Sequence, residues 1–518
     1  MSLRKRPQAD PQMTNADNAQ ETLLEMKSAL LRQIQEAPDG SDEKTRLEDR
    51  LSLLSGRKAS EASSPSRKDS SKAPVLSFVS IIEEMSEPML RSSKRLDFGA
   101  MERAVKERML EETARNIESR LNEEIMRHPA PFLCPACGRE LQNKGVKSKT
   151  FTTSFGAVTL RRRYGFCRSC QKGVFPDDAR LGLDGSGISP EVQYLAGLFG
   201  AETDFLRSGE LLFQAARIRL PEKQVERIAE SLGEQIAKDE REHVEPDHHR
   251  RPIQRILYVG MDGTGVPMQS RETVGRKGKQ KDGSSKTREA KMIDFWEANT
   301  INELGVPIRD PGSVSYSAAI DSAACPDNGS EISEFAKRVE REAKRRGAEQ
   351  AGCLVVIGDG ASWIWNNTEH LFPGAICIVD RFHAKQHLSE LSKVLFGATP
   401  KAEEWTHCRY EELDGGRMDD LLKAIGIHAD RFPEAKQCRT YFQNNRGRMR
   451  YPEFRAMGLC TSSGVVEAGC KSIVGGRLKK SGMHWSVAGA NAILALRCTI
   501  KSGRYESFWE RKVSKLAA

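Results

Sequence analysis

The sequence predicts a mixed α/β protein in which a strand-rich region follows a long, mainly helical N-terminal region. Strand-like apolar runs begin only at about residue 255, and from residue 332 they alternate with helices. Two pairs of closely spaced cysteines come before the first of these strands. Because 518 residues are too many for one compact core, we expect several domains.

Five apolar segments have the length and the β-branched content of buried strands. In chain order they are RILYVGM (255–261), KMIDFWEA (291–298), SVSYSAAI (313–320), CLVVIGD (353–359) and AICIVD (375–380). A charged helix, ISEFAKRVEREAKRRG, separates the third strand from the fourth, and a second helix separates the fourth from the fifth. This is the order of a ribonuclease H-like mixed five-stranded sheet, and we predict the first part of such a core over residues 251–400.

The segments before this core are predicted to be unstructured or helical. Residues 1–75 are rich in Ser, Lys, Ala and Pro, so we expect a largely disordered tail and linker with one short helix. Residues 76–130 are predicted to be helical, with one amphipathic helix at about 98–127. Over residues 181–250, two helices with a short connection form either a helix-turn-helix that binds DNA or a plain packed pair.

The segments after the core are predicted to be helical as well. Residues 401–460 carry no strand pattern, so we expect a helical insertion. Residues 461–518 contain a helix with a lone acid, Glu467, and a buried C-terminal helix with the sequence SVAGANAILALRCTI.

Composition narrows the class of protein only moderately. The formal charge of +9 and the charged fraction of 30% describe a mildly basic chain, which is weak evidence for a nucleic-acid partner. No run approaches the roughly 18 apolar residues of a membrane span, so we expect no membrane partner and a cytoplasmic location. Eight of the cysteines are scattered singly, which argues for reduced thiols rather than a disulfide framework.

The other four cysteines predict a structural zinc site over residues 131–180. Cys134 and Cys137 form one CxxC pair, and Cys167 and Cys170 form the second. Each pair can bring two thiolates to a tetrahedral zinc ion at about 2.3 Å. The segment between the pairs alternates like a β-hairpin, as a zinc ribbon requires. A redox-active pair is the alternative for a single CxxC, but two pairs that flank a hairpin fit it poorly.

Three carboxylates are candidates for a catalytic metal site. Asp262 follows the first apolar strand run and precedes a glycine-rich stretch, Asp359 ends the fourth strand, and Glu467 lies on a later helix. Phosphodiester chemistry on DNA uses two magnesium ions held by carboxylates. Asp380 competes with Asp359 because it also ends an apolar strand, but the fourth strand is expected to lie beside the first and the fifth strand further out. Glu467 could also be a simple ion-pair partner of Lys471.

Basic residues and a histidine accompany these acids. Residues 269–291 contain eight Lys or Arg against three Asp or Glu, which suits either phosphate positioning or a solvated hairpin tip. His383 is expected to support the site, to contact DNA or merely to cap a helix. The same supporting or DNA-contacting roles are expected of Asp380 and of four basic residues after Glu467, namely Lys471, Arg477, Lys479 and Lys480.

Five long motifs resemble the ISKra family of bacterial insertion-sequence transposases. They are YVGMDGTGVPM, VVIGDGASWIWN, FPGAICIVDRFHAKQHL, YFQNNRGRMRYPEFRAMGL and SSGVVEAGCKSIVGGRLKKSGMHWSVAGANAILALRC, in the family's order over about 130–510. The resemblance implies a DDE-type transposase with a ribonuclease H-like domain, in which Asp262, Asp359 and Glu467 are the catalytic triad. The Asp380-x-x-His383 pattern resembles an element of Mutator-like relatives.

The resemblance further implies the cofactors and partners. They are two Mg²⁺ ions, for which Mn²⁺ could substitute, and double-stranded DNA, comprising the terminal repeats of the element and target DNA. A homodimer or higher oligomer on DNA is expected, in a bacterial cytoplasm and associated with the nucleoid when DNA is bound. The alternatives are a domesticated or inactive copy that binds DNA as a regulator, and a structure-specific nuclease on the same fold.

Overall fold

The computed structural model describes residues 97–517, apart from short gaps at 184, 245, 247–254, 279, 304, 323–331 and 463. The predicted tail at 1–75 and the first part of the predicted helical segment 76–130 lie outside the described residues. Within the described part of the chain, no helix has both the length and the apolar character that crossing a membrane requires.

The first described region is a helix followed by a three-stranded antiparallel sheet. Its elements are α1 (Phe98–Arg127), β1 (Gln142–Thr153), β2 (Gly156–Cys167), β3 (Lys172–Val174) and α2 (Pro176–Arg180). Helix α1 matches the amphipathic helix expected at 98–127, and the Asp97 side chain caps it by accepting a hydrogen bond from the Ala100 amide. Strands β1 and β2 form the expected hairpin between the two cysteine pairs.

Three helices connect this region to the central sheet, namely α3 (Pro190–Glu202), α4 (Phe205–Ala216) and α5 (Glu222–Glu242). Ser189 caps α3, and Pro190 occupies its first turn. Pro is well tolerated there because an amide in the first turn has no acceptor within the helix. The pair α4–α5 corresponds to the expected short-connection helix pair. In the structure, α5 packs against α3, α4 and α15.

The central five-stranded mixed sheet confirms the predicted α/β architecture. Its strands are β4 (Ile256–Pro267), β5 (Thr287–Trp296), β8 (Ser315–Ala319), β9 (Cys353–Gly358) and β10 (Ile376–Val379), in the spatial order β10-β9-β4-β5-β8. Strands β9 and β10 run parallel to β4. On the other side of β4, β5 pairs antiparallel with β4, and β8 pairs antiparallel with β5. Two short strands, β6 (Thr300–Ile301) and β7 (Pro307–Ile308), form a separate hairpin. Helices α6 (Glu334–Arg345) and α7 (Ser362–Leu371) flank β9 in the chain.

The first two strands of the sheet are longer than the sequence predicted. The β4–β5 ladder continues to the pair Pro267–Thr287, so part of the predicted basic loop 269–291 belongs to β5. The glycine-rich end of β4 and the polar start of β5 lack apolar alternation, yet their backbones remain hydrogen-bonded. The connection between the strands is therefore the tip of a long hairpin.

The remaining helices include the expected helical insertion. They are α8 (Arg381–Phe396), α9 (Pro400–Asp414), α10 (Met418–Gly426), α11 (Pro433–Asn445), α12 (Tyr451–Ala456), α13 (Gly464–Gly469), α14 (Gly476–Leu478), α15 (Val487–Lys501) and α16 (Tyr505–Ala517). A π-helical segment, Cys470–Gly475, joins α13 to α14. Helix α15 is the expected buried C-terminal helix, and Ser486 caps it.

Apolar side chains cover both faces of the central sheet. One core combines the sheet with α6, α7, α8 and the insertion helices, and Val259, Phe335 and Ile364 are fully buried in it. The other core packs α3, α5, α13 and α15 against the opposite face, around Met292 and Ile493. A sheet with helices on both faces is a stable layered arrangement because each apolar surface is covered.

A buried ion cluster joins α6 to the segment between α15 and α16. The fully buried Glu342 carboxylate lies 2.9 Å from the Arg504 guanidinium and 3.1 Å from that of Arg345. Burial alone would raise the pKa of Glu342, but the two arginines outweigh it and lower the pKa to about 2.

We expect Glu342→Gln to destabilise the fold by about 3–5 kcal/mol, because it leaves buried arginines uncompensated. Urea unfolding of wild type and variant measures this difference. The difference in unfolding free energy should reach its full value above pH 4.5, the ordinary pKa of a Glu carboxyl. It should vanish as the pH falls toward about 2, because the Glu342 carboxylate then becomes protonated in the folded state.

The matched control for this variant is Glu340→Gln on the same helix. Glu340 pairs with Lys344 at the surface, so its replacement should change stability by less than about 0.5 kcal/mol. Equal losses for the two variants would contradict the importance of the buried cluster.

Candidate functional site

Asp262 lies on β4, and Asp359 lies directly after the parallel strand β9, so the two acids follow paired residues of neighbouring strands. The register pairs Met261 of β4 with Gly358 of β9, and these residues immediately precede the two acids. Since neighbouring strands lie about 4.8 Å apart, the two carboxylates start from adjacent points of the sheet. Burial raises the pKa of Asp262, and the negative charge of Asp359 raises it further. The position of β10 outside β9 also agrees with the preference for Asp359 over Asp380.

Local hydrogen bonds orient these two carboxylates. The Gly263 amide donates to Asp262 Oδ1 at 2.6 Å, and the Ala361 amide donates to Asp359 Oδ1 at 2.9 Å. The thiol of Cys470, on the π-helical segment, also donates to Asp262 and partly offsets the effect of burial on its pKa. The Cys470 thiol and the Gly263 amide therefore favour the ionised form of Asp262, which burial disfavours.

Glu467 lies on α13, which packs over β4 and β5. A Cβ atom at Gly260 would lie 2.9 Å from Val466 Cβ, so the helix approaches β4 two residues before Asp262. Lys471 donates to Glu467 Oε1 at 2.6 Å, and this hydrogen bond lowers the pKa of Glu467. The expected alternative of an i, i+4 ion pair is thus present in the structure. The Glu467 side chain of this pair is 56% exposed, and ion pairs at the surface contribute little to stability.

His383 is electrostatically linked to two of the three acids. The charged form of its imidazole would favour ionised Asp262 and ionised Glu467, but burial has the larger effect on the pKa of Asp262 and the Lys471 hydrogen bond on that of Glu467. The residue that caps α8 is Asp380, which is buried and accepts hydrogen bonds from the Phe382 and His383 amides at 2.6 and 2.9 Å. The helix-capping role considered for His383 therefore belongs to Asp380.

The three predicted acids have suitable chemistry for magnesium, but their carboxylates do not form one compact group of ligands. Magnesium prefers carboxylate oxygens and retains several waters. Within the described ranges, the four cysteines form a group in which all ligand atoms lie within 4.8 Å of one another. Asp262, Asp359 and Glu467 do not form such a group. The structure brings Asp262 and Asp359 together and leaves Glu467 paired with Lys471.

The basic residues that follow Glu467 have different surroundings. Lys471 is 75% exposed beside Glu467. Lys479 donates a hydrogen bond to Thr264 Oγ1, two residues beyond Asp262. Lys480 instead donates to Thr203 Oγ1 at 3.0 Å, at the end of α3.

Arg477 corrects one sequence-based expectation. Its side chain is fully buried, and its guanidinium lies 4.5 Å from the Phe205 ring and 5.2 Å from the Trp485 ring. Its Nε donates to the Gly200 carbonyl at 2.9 Å. Arg477 therefore cannot contact DNA in this structure, because apolar and aromatic groups enclose it.

Sequence reasoning missed Asp294, a fully buried acid near Asp262. Asp294 pairs with Gly260 across the β4–β5 ladder, and neither of its carboxylate oxygens has a hydrogen-bond partner. Burial raises the pKa of Asp294 well above its usual range, and the charge of Asp262 contributes to this. An acid inside the apolar run KMIDFWEA was the available signal, but the sequence alone does not identify the face of the sheet on which it lies.

The four cysteines form a compact cluster that could hold a metal ion such as zinc. Their sulfur atoms all lie within 4.8 Å of one another, with 3.6 Å between Cys137 and Cys167 and 4.0 Å between Cys134 and Cys170. Thiolates about 2.3 Å from one tetrahedral zinc lie about 3.8 Å apart, so this spacing suits a four-sulfur site.

The two turns of the cluster are preorganised by their backbones. In the first, Gly138 adopts a φ of +68° and donates its amide to the Cys134 carbonyl. In the second, the Cys170 amide donates to Cys167 Sγ at 3.4 Å, which contributes most to lowering the Cys167 pKa to about 7. A thiol that ionises near neutral pH is a ready metal ligand.

We expect the purified protein to contain about one zinc ion per chain, and we expect Cys137→Ser to lose it. Removal of zinc by a chelator should expose residues 131–175 to proteolysis, because binding of the metal is coupled to folding of this segment. Cys408→Ser is the matched control, because it replaces another exposed cysteine and should keep the metal. An unchanged proteolysis pattern after zinc removal would refute a structural role.

Comparison with known proteins identifies a family for this chain. No curated protein matches it. Residues 136–512, which cover most of the cysteine cluster, the central sheet, the insertion and most of the C-terminal helices, match the uncharacterised protein family UPF0236. Since this match spans well over half of the sequence, the chain belongs to the family UPF0236.

Proposed function

We propose that the protein is a DDE-type DNA transposase that cuts the ends of its insertion sequence and joins them to target DNA. The observation that carries this proposal is the placement of Asp262 and Asp359 directly after paired residues of neighbouring parallel strands. The helix that bears Glu467 packs over the same part of β4. Two strand-borne acids and a third acid on a nearby helix are the arrangement expected for two-metal phosphodiester chemistry.

The sheet topology supports a ribonuclease H-like core for this chemistry. The strand that carries Asp262 is central: β9 and β10 run parallel to it on one side, and on the other side β5 pairs antiparallel with it and β8 pairs antiparallel with β5. Helices α8 to α12 intervene in the chain between the last strand and the Glu467 helix. This organisation agrees with the order expected of the ISKra family.

In the proposed reaction, two Mg²⁺ ions would activate the attacking oxygen and stabilise the leaving oxygen. Mn²⁺ could substitute. Asp262, Asp359 and Glu467 would hold them, and the donors from Gly263 and Ala361 keep the two aspartates oriented. Glu467 would exchange its surface partner Lys471 for a metal ion, which the low cost of breaking an exposed pair permits.

A basic hairpin tip, of which residues 269–278 and 280–286 are described, would position the phosphate backbone of double-stranded DNA. Its base is fixed to the segment after Lys480, because Gln269 donates its amide to the Trp485 carbonyl at 2.9 Å. Its exposed basic side chains are Arg271, Arg276, Lys277, Lys281 and Lys286. Lys479 extends the same positive surface toward Thr264 and Asp262.

The partners implied by this function are the terminal repeats of the element and a target duplex. Pairing of two DNA ends would involve a homodimer or higher oligomer. Strand transfer would distinguish the protein from a structure-specific nuclease, because only a transposase yields products joined to target DNA.

A second candidate is an inactive copy that binds DNA as a regulator. The ion pair between Glu467 and Lys471 favours it, because this carboxylate is paired with a lysine and is not grouped with Asp262 and Asp359. A transposition assay with a marked element flanked by its own terminal repeats separates the two functions, because only an active enzyme moves the marker.

For the active enzyme, we expect Asp262→Asn, Asp359→Asn and Glu467→Gln each to slow DNA-end cleavage by about 100-fold or more. Binding of terminal-repeat DNA, measured by fluorescence anisotropy, should persist because the phosphate contacts are intact. Retained cleavage in any of the three variants would contradict the role of that acid.

The matched control for Glu467 is Lys471→Ala. If Glu467 serves only its ion pair, Glu467→Gln and Lys471→Ala remove the same contact and should have similar small effects. If Glu467 holds a metal, only Glu467→Gln abolishes cleavage.

We expect the double variant Lys277→Ala and Lys281→Ala to weaken DNA binding. The salt dependence of log K should become shallower by about 1 for each lysine that binds a phosphate in the wild type. Lys423→Ala, an exposed lysine on insertion helix α10, is the control and should leave the slope unchanged. An unaltered slope in the double variant would identify the segment as a solvated hairpin tip.

A further inference from the structure

Tyr441, on helix α11 of the insertion, contacts the turn that carries Asp359. Its hydroxyl donates a hydrogen bond to the Asp359 carbonyl oxygen at 2.8 Å. Its ring also packs against Gly360, where an added Cβ would lie 2.6 Å from Tyr441 Cε2. Gly360 has a φ of +100°, a conformation that other residues rarely adopt. The turn after β9 is therefore shaped to receive this one aromatic side chain.

The Tyr441 ring is itself held in place from within the helical region. The His387 ring on α8 lies 4.2 Å from it, and the neighbouring Phe442 ring meets it edge-on at 5.3 Å. Phe442 is fully buried and anchors α11 in the core.

The Asp359 turn thus has two independent supports. The Ala361 amide holds carboxylate atom Oδ1, and Tyr441 holds the backbone carbonyl of the same residue. The first contact is local to the turn, whereas the second joins residues 82 positions apart in the chain. Of these two contacts, only the hydrogen bond from Tyr441 connects the helical insertion to Asp359.

We propose that Tyr441 is a positioning residue that fixes Asp359 for metal binding and so couples the helical insertion to the metal site. This inference rests on the proposed function, because it assigns Asp359 to a metal ion. Tyr441 makes no contact with the reacting atoms. Groups that orient a ligand typically change metal affinity or activity about 10- to 100-fold when they are removed.

The test compares Tyr441→Phe with Tyr410→Phe, which alters another tyrosine of the insertion whose ring packs with Lys385. Mn²⁺ binding to the zinc-loaded, full-length protein is followed by the loss of the free-ion EPR signal, so the readout does not depend on cleavage. Tyr441→Phe should weaken Mn²⁺ binding about 10-fold or more, and Tyr410→Phe should not change it. Asp359→Asn sets the limit for complete loss of this ligand.

Cleavage assays complete the test. Tyr441→Phe should need about 10-fold more Mg²⁺ for half-maximal cleavage and should bind DNA like wild type. Its cleavage rate should recover at high Mg²⁺, whereas the rate of a variant with a merely structural defect would not.

Two results would overturn the role of Tyr441. One is a Mn²⁺ affinity of Tyr441→Phe equal to that of wild type, and the other is the absence of Mn²⁺ binding by wild type. If wild type binds Mn²⁺ and Tyr441→Phe weakens it, but wild type never cleaves DNA, the positioning role stands and the transposase function fails.

Discussion

The close approach of three elements at Gly260 is the constraint on which the site geometry depends. A Cβ atom there would overlap Asp294 Oδ1 and lie 2.9 Å from Val466 Cβ and 3.1 Å from Trp296. Strand β4 can therefore accommodate the buried acid of β5 and the helix α13 only because this position has no side chain. A larger residue would push α13 away from the sheet and increase the separation between Asp262 and Glu467.

The same close approach explains how a carboxylate can lie fully buried beside Asp262. Asp294 occupies the space that a side chain at Gly260 would fill, and neither of its oxygens has a hydrogen-bond partner. An ionised carboxylate in that position would suffer both desolvation and repulsion from Asp262, so burial and the charge of Asp262 raise the pKa of Asp294 well above its usual range. The buried acid and α13 thus share the space beside β4 that Gly260 leaves open.

The sequence predicted the sheet well because each strand contains an apolar run, although β4 and β5 continue beyond these runs. The adjacency of Asp262 and Asp359 followed from strand order alone, and the register of β4 with β9 agrees with it. Arg477 was misassigned because it lies in a lysine-rich stretch of the sequence, and the sequence alone does not reveal the π-helical segment that precedes it. Asp294 and Tyr441 were missed because their importance comes from contacts across the sheet and between distant helices, which no local pattern encodes.

Arg477 and Arg497 show how the Glu467 helix is held once it has reached the sheet. Arg477 donates to the Gly200 carbonyl, and Arg497 donates to the carbonyls of Ala201 and Ile473. The two buried cations thus connect the C-terminal end of α3, where the helix dipole is negative, to the π-helical segment after Glu467. One Arg477 nitrogen has no hydrogen-bond partner, and the Phe205 and Trp485 rings supply cation–π attraction in its place. Since α3 also packs on α4, α5 and α15, these two arginines join the segment that follows Glu467 to a packed group of helices.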